Sequence, residues 1–203
     1  MPPRDAQATK ARILQAAVAE FAEHGHAGGR VERIAREAGT NIRMIYAYFG
    51  NKDGLFDAAL TSAIQSMAAR VPPRPDDLPA WAGELFDYHQ REPAALRINM
   101  WAQLERPQAA SEPLESYLAK TTAVASTDSA PLTAVDLLVF IYAVSQAWYL
   151  TPVGLLKADG GDPQAPERIA AHRYAVITAV TRIVQPDSTD PTPQRPEGAQ
   201  HDS

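Results

Sequence analysis

No cysteine occurs in the 203 residues, which excludes both a disulfide framework and a thiolate metal site. No apolar run approaches the ~18 residues that a membrane-spanning helix needs. The opening MPPRDAQATK also lacks the apolar core of a secretory signal. The chain is therefore expected to be cytoplasmic, with no membrane partner. Neither a P-loop nor a dinucleotide glycine fingerprint is present, and Gly25 to Gly29 is only a glycine-rich corner. His24 and His26 sit in a turn with no third ligand nearby, and Asp159 to Asp162 offers too few carboxylates for a calcium cage. No cofactor or metal is expected, and no catalytic pair can be named. Alternating apolar and polar stretches of strand length are missing too, as is any repeat of fixed period.

What is present is an ordinary globular composition, 45% hydrophobic, with an uneven distribution of charge. Residues 1–52 carry eight Lys and Arg against five acids, or +3, so the total of −5 leaves −8 on the remaining 151 residues. A basic head on an acidic body suits a protein that brings one end to a polyanion.

Between its prolines the chain reads as helix. Ile13, Leu14, Ala17, Val18 and Phe21 recur at helical spacing over 10–23, and Gly25 follows as a stop. Val31, Ile34, Ala35 and Ala38 share one face of a short helix over 30–38 that ends at Gly39. Asn41 is a good N-cap for a helix over 42–49, and Asn51 or Asp53 can open a longer one over 54–71. After the break PPRPDDLP, helices are predicted near 78–91, 94–105, 114–125, 132–150 and 166–184, about nine in all. The proline-rich and acidic stretch 186–203 has no large apolar residue and is expected to be disordered. The expected organisation is all-α: a helix-turn-helix head over 1–53, a larger helical body over 54–185, and the tail.

Short helix, glycine turn, short helix is the geometry in which the second helix enters the DNA major groove. Ala35 is small where the helices approach, Gly39 turns the chain, and Ile45 is the apolar plug. The surrounding residues, Arg12-Ile13-Leu14, Ala16-Ala17, Phe21, Gly25, Ile34-Ala35, Ala38-Gly39 and the segment IYAYFGNKDGL, make the first fifty or so resemble the DNA-binding head of the TetR family of transcriptional regulators. Ile45 and Phe49 are expected to close a small core with Ile13, Phe21 and Ile34. Tyr46, Tyr48 and Lys52 are left outside, where hydroxyl and ammonium groups can hold phosphate oxygens. The resemblance assigns the same three to the DNA backbone, and Lys10, Arg30 and Asn41 join them as phosphate candidates. Base readout falls to Ile42, Arg43 and Met44 in the first turn of the helix. Arg43 can make a bidentate contact with guanine, and Ile42 or Met44 can lie on a thymine methyl. The chain departs from the family pattern at Arg43 and Met44, where Gly and Thr are common, and at Gly28-Gly29, where Thr or Ser usually caps the second helix.

The helix over 132–150 is apolar on nearly every side, and Ile169, Val176, Ile177 and Val180 form a stripe on the last helix beside Arg173. Two such helices from each of two chains would form a four-helix dimer contact, as the resemblance implies. A twofold dimer in turn demands an operator with two half-sites. The body is rich in aromatics, with polar residues embedded among them. A ligand pocket is expected from Phe86, His89, Asn99, Trp101, Gln103, Tyr117, Tyr142, Gln146 and Trp148, holding an uncharged or weakly polar effector that lowers operator affinity. The function these features support is a sequence-specific DNA-binding regulator, a ligand-responsive repressor acting as a dimer on a palindromic operator. The alternatives are a ligand-independent regulator, a head that binds protein rather than DNA, and a helical enzyme.

Overall fold

The computed structural model describes residues 3–107, 109, 114–125 and 132–185, so the tail over 186–203 lies outside the described residues. Every regular element among them is helical. The order is α1 (Pro3–Gly28), α2 (Val31–Glu37), α3 (Ile42–Phe49), α4 (Lys52–Arg70), α5 (Leu78–Arg91), α6 (Pro93–Glu105), α7 (Leu114–Val124), α8 (Ala134–Leu150), α9 (Val153–Leu156) and α10 (Pro166–Val184). That is one more than the periodicity predicts: α9 is a single turn, too short to show a period. The first helix is also longer than predicted. Gly25 kinks it rather than ending it, with φ 69° and ψ −176°, and the chain continues for another turn to Gly28.

Local side chains set the element starts. The Asn41 side chain accepts from the Met44 N–H at 2.8 Å, and Asn51 does the same for Gly54 at 2.8 Å, which satisfies N–H groups that have no helical partner. Asp77 caps α5 through the Ala80 N–H at 3.0 Å, so the proline-rich break ends in a helix start. Thr133 and Asp136 form a reciprocal capping box at the head of α8. By contrast α2 starts at Arg30 with no side-chain cap. Gly29 is needed there for space, because a Cβ would lie 2.5 Å from the Phe21 ring. Gly54 serves the tight α3–α4 turn likewise, since a Cβ would fall 2.3 Å from the Phe49 carbonyl oxygen.

The head core is built from Ile13, Ala17, Phe21, Ile34 and Ile45, all buried, and is closed by Leu55 and Phe56 from the start of α4. Phe21 and Phe56 meet edge to face with centroids 5.0 Å apart. Phe49 is half-buried against this core. Buried residues continue without a break through α4 into the body, where Trp81, Leu85, Phe86, Ile98, Leu137, Ile141, Val176 and Val180 pack α5, α6, α8 and α10 together. Gly83 allows α10 close to α5, since a Cβ there would lie 3.0 Å from the Ile177 side chain. Two of the body's buried polar groups are tied into the same packing, Trp81 Nε1 donating to the Val71 carbonyl at 3.2 Å and Ser145 Oγ to that of Ala82 at 3.1 Å.

Candidate nucleic-acid interface and effector cavity

The two helices of the head present a small basic face. Burial of Ile45 orients α3 so that Arg43 and Tyr46 are exposed on its outer side, while Ile42, Met44 and Tyr48 are half-buried. Asn41 is exposed, but its side-chain oxygen is occupied by capping. Lys10 reaches the end of α3, its ammonium 5.7 Å from the centroid of the Phe49 ring. Lys52 donates to the Ala27 carbonyl at 3.3 Å. Arg30 is exposed, and its backbone N–H donates to Glu20 at 2.8 Å. A shallow groove between α2 and α3 is lined by Glu32, Ala35, Arg36, Thr40, Asn41, Ile42 and Arg43. Arg36 was not among the sequence-derived candidates; it is exposed on the outer face of α2, and only the helix crossing places it beside Arg43. Arg33 is held inside the head instead, where its guanidinium grips Glu20 through Nε at 2.8 Å. Burial raises the Glu20 carboxyl, but hydrogen bonds from Arg33 and from the Arg30 N–H outweigh it and hold the group below the ordinary carboxylate range.

A cavity of about 220 Å³ opens in the body. Of the nine candidate ligand contacts it collects five, His89, Asn99, Gln103, Tyr142 and Gln146, and adds Ile64, Met67, Ala95 and Leu96. Three of the aromatics lie elsewhere. Trp101 turns toward the kink in α1, where a Cβ on Gly25 would come within 2.9 Å of its ring. Phe86 is fully buried, tilted against Tyr149 and His172. Trp148 lies against His172 with centroids 4.4 Å apart, and the Arg168 guanidinium is 4.9 Å from its ring. The Tyr117 side chain lies outside the described residues. His89 is only 1% exposed, neither of its ring nitrogens has a partner, and burial pushes its pKa down to about 4.

Helix α6 connects this cavity to the head. Ala95, Leu96, Asn99 and Gln103 face the cavity, and two residues further on the helix ends at Glu105. The Glu105 carboxylate accepts from the His26 N–H at 2.6 Å and the Ala27 N–H at 3.1 Å, just after the α1 kink. Arg106 pairs with Asp53 at 2.9 Å and with Asp57 at 3.2 Å, and a His26 ring nitrogen lies 2.9 Å from Asp53. The Arg106 hydrogen bond keeps the Asp53 carboxyl below its usual range. One charged junction thus ties the end of α6 to α1 and to the first two turns of α4.

The stripe predicted on the last helix divides. Val176 and Val180, 3% and 0% exposed, belong to the core of the protomer, because that face of α10 packs on α5 and α8. Ile169 and Ile177 are half-buried, and Arg173 pairs with Asp87 at 2.9 Å. The outward face carries Tyr174, 72% exposed, with Ala170, Ala171 and Ala175, while Val135, Val139, Phe140 and Leu150 stand out from α8.

An all-helical fold with a helix-turn-helix head, a basic outer face and a cavity in the body defines a DNA-binding transcriptional regulator. Two family models match, bacterial regulatory proteins of the tetR family over residues 13–59 and the tetracyclin repressor-like C-terminal domain over residues 77–182. The chain belongs to the TetR family of transcriptional regulators. It is 41% identical over 174 residues to the HTH-type transcriptional repressor SCO4008 of Streptomyces coelicolor, spanning 80% of this chain and 90% of that protein. Over a shorter 57 residues it shares 47% identity with the HTH-type transcriptional repressor NicS of Pseudomonas putida, 28% of this chain and 27% of that one. Among solved structures, the Streptomyces coelicolor transcriptional regulator SCO4942 superposes with a TM-score of 0.75 at 31% identity, covering 87% of this chain and 98% of the other.

Proposed function

We propose that the protein is a cytoplasmic, ligand-released repressor whose dimer holds a palindromic operator through two copies of α3. Arg43 reads base edges, supported by Ile42 and Met44, and Arg36 extends that contact from α2. Tyr46, Tyr48, Lys10, Arg30, Asn41 and Lys52 hold the phosphates and fix the register. The two protomers pair through the outward faces of α8 and α10, around Val139, Phe140 and Tyr174.

The observation that carries the switch is the path of α6. One helix lines the cavity and ends in the Glu105 and Arg106 contacts to the head. A ligand that moves Asn99 or Gln103 moves those charges with them. Recognition helices must meet successive major-groove faces about 34–36 Å apart, so a small rotation of each head breaks the match. The test is selection of bound fragments from genomic DNA, followed by gel shifts at two salt concentrations. Sites with dyad symmetry and a steep loss of affinity with salt are expected. Asymmetric sites would remove the dimeric mode, and salt-independent binding would remove the phosphate contacts.

A further inference from the structure

The cavity wall has two properties that restrict its occupant. None of the nine lining side chains carries a formal charge while His89 is neutral, and burial holds His89 neutral at physiological pH. A charged guest would surrender its hydration with no opposite charge in the wall to replace it. Lys120 does not line the cavity; its ammonium sits 5.8 Å from the centroid of the Tyr142 ring. The second property is the state of His89. A neutral imidazole carries one donor and one acceptor, and here both nitrogens are buried without a partner. The neighbouring Tyr149 hydroxyl directs its one hydrogen to the Phe86 carbonyl at 3.1 Å and to Gln90 Oε1 at 2.9 Å, so it donates to neither nitrogen. Edge-on contacts with Tyr88 and Tyr149, centroids 5.9 Å away in both cases, hold the ring in place. Buried polar groups in native proteins are almost always paired; His89 lines the adjoining cavity, and a guest that displaces the side chains covering its ring edge supplies the missing partner. The volume of about 220 Å³ lies below the roughly 300–1,000 Å³ of sites that take drug-sized ligands, so the guest is compact.

We propose that this cavity binds a compact, uncharged molecule that carries both a hydrogen-bond donor and an acceptor, with His89 as its buried anchor and the Asn99 and Gln146 amides as further contacts. Ile64, Met67, Ala95 and Leu96 cover its apolar part. The proposal rests on the cavity being the effector site. It narrows the mixed set of aromatics and polar residues expected from the sequence to its polar members, since Phe86, Trp101 and Trp148 are used in packing elsewhere.

Three probes of nearly the same shape separate the alternatives: benzamide, benzoate and benzamidine, which differ mainly in charge. Each is titrated calorimetrically into the full-length protein at pH 7.5, and into the His89→Leu and Asn99→Leu variants. Benzamide is expected to bind at least about tenfold more tightly than either charged congener, and each variant to weaken benzamide by about tenfold. The half-buried Asn99 position keeps the test informative if His89→Leu fails to fold. No benzamide binding, or equal or tighter binding of a charged congener, would overturn the proposal, and a preference for benzoate would point to Lys120 as the anchor. Unchanged benzamide affinity in both variants would overturn it as well. Titrations repeated with operator DNA test the other claim separately: benzamide that binds as described but leaves operator affinity untouched confirms the ligand chemistry and removes the effector role.

Discussion

Arg43 stands exposed on the outer side of the recognition helix with no acidic partner among the described residues, so its five donors are available to a guanine edge. Arg43→Ala is expected to cost ~1–3 kcal/mol on the specific site and little on random DNA. Lys52→Ala, at a proposed phosphate contact, is expected to weaken both DNAs alike, lowering the salt slope by about one. Competitive gel shifts at several salt concentrations check both; equal losses on the two DNAs for Arg43→Ala would remove it from base readout. His89 gives a second residue-scale prediction. Its folded pKa of about 4 lies below the ordinary 6.5, so between these values the unfolded chain binds a proton that the folded chain refuses. Stability is therefore full above pH 6.5 and falls as pH drops toward 4, with a slope from this group approaching ~1.4 kcal/mol per pH unit. Burial and Arg168 lower His172 in the same direction, so the diagnostic is the difference between proteins. Denaturant unfolding from pH 7.5 to 4.5 is expected to show a shallower decline in His89→Leu than in the parent.

At the scale of elements, α6 matters more than its modest burial suggests, because two parts of it serve different tasks. Its middle lines the cavity, and its C-terminus places a carboxylate on the α1 kink and a guanidinium between two aspartates of α4. These ion pairs are partly exposed and add little to stability. Their value is geometric, since they connect the cavity wall to the head. Arg106→Ala is expected to leave ligand affinity in the absence of DNA within about twofold while the ligand's effect on operator binding, ordinarily ~5–150-fold for coupled sites, falls toward one. Fluorescence anisotropy of labelled operator with and without ligand reads this directly. Full retention of the effect would place the coupling elsewhere, in the packing of α1 on α4.

For the whole molecule the outward faces of α8 and α10 are decisive. Val139, Phe140 and Tyr174 are exposed on helices that pack on one another, and they make up the proposed dimer contact. Val139→Asp together with Tyr174→Asp is expected to yield folded monomers with weak operator binding. Val176→Asp, by contrast, buries an unpaired carboxylate in the protomer core and is expected to cost the fold itself. Sedimentation paired with circular dichroism distinguishes the two. A double variant that still sediments as a dimer would move the contact to another face.

The head was legible from the sequence because its determinants are local. The capping by Asn41, the turn at Gly39 and the plug at Ile45 lie within a few residues of one another, and each has a steric reason independent of the rest of the chain. Helical periodicity likewise located the body helices to within a few residues. Periodicity reports that a stripe is apolar without saying which neighbour covers it, and this is why Val176 and Val180 read as a contact between chains although α5 and α8 cover them. Composition had the same limit in the body. It marked aromatics and amides together, whereas packing sent Trp101 to the α1 kink and Trp148 to His172 and left the amides beside His89. The junction of Glu105 and Arg106 with His26, Asp53 and Asp57 joins residues roughly fifty to eighty positions apart, and no local pattern encodes such a meeting. What the sequence by itself determined is most of the helices and which side chains stand on α3, because both depend on near neighbours along the chain. Which faces are buried, which are exposed, and how the cavity reaches the head were decided only when the helices packed, because those depend on neighbours in space.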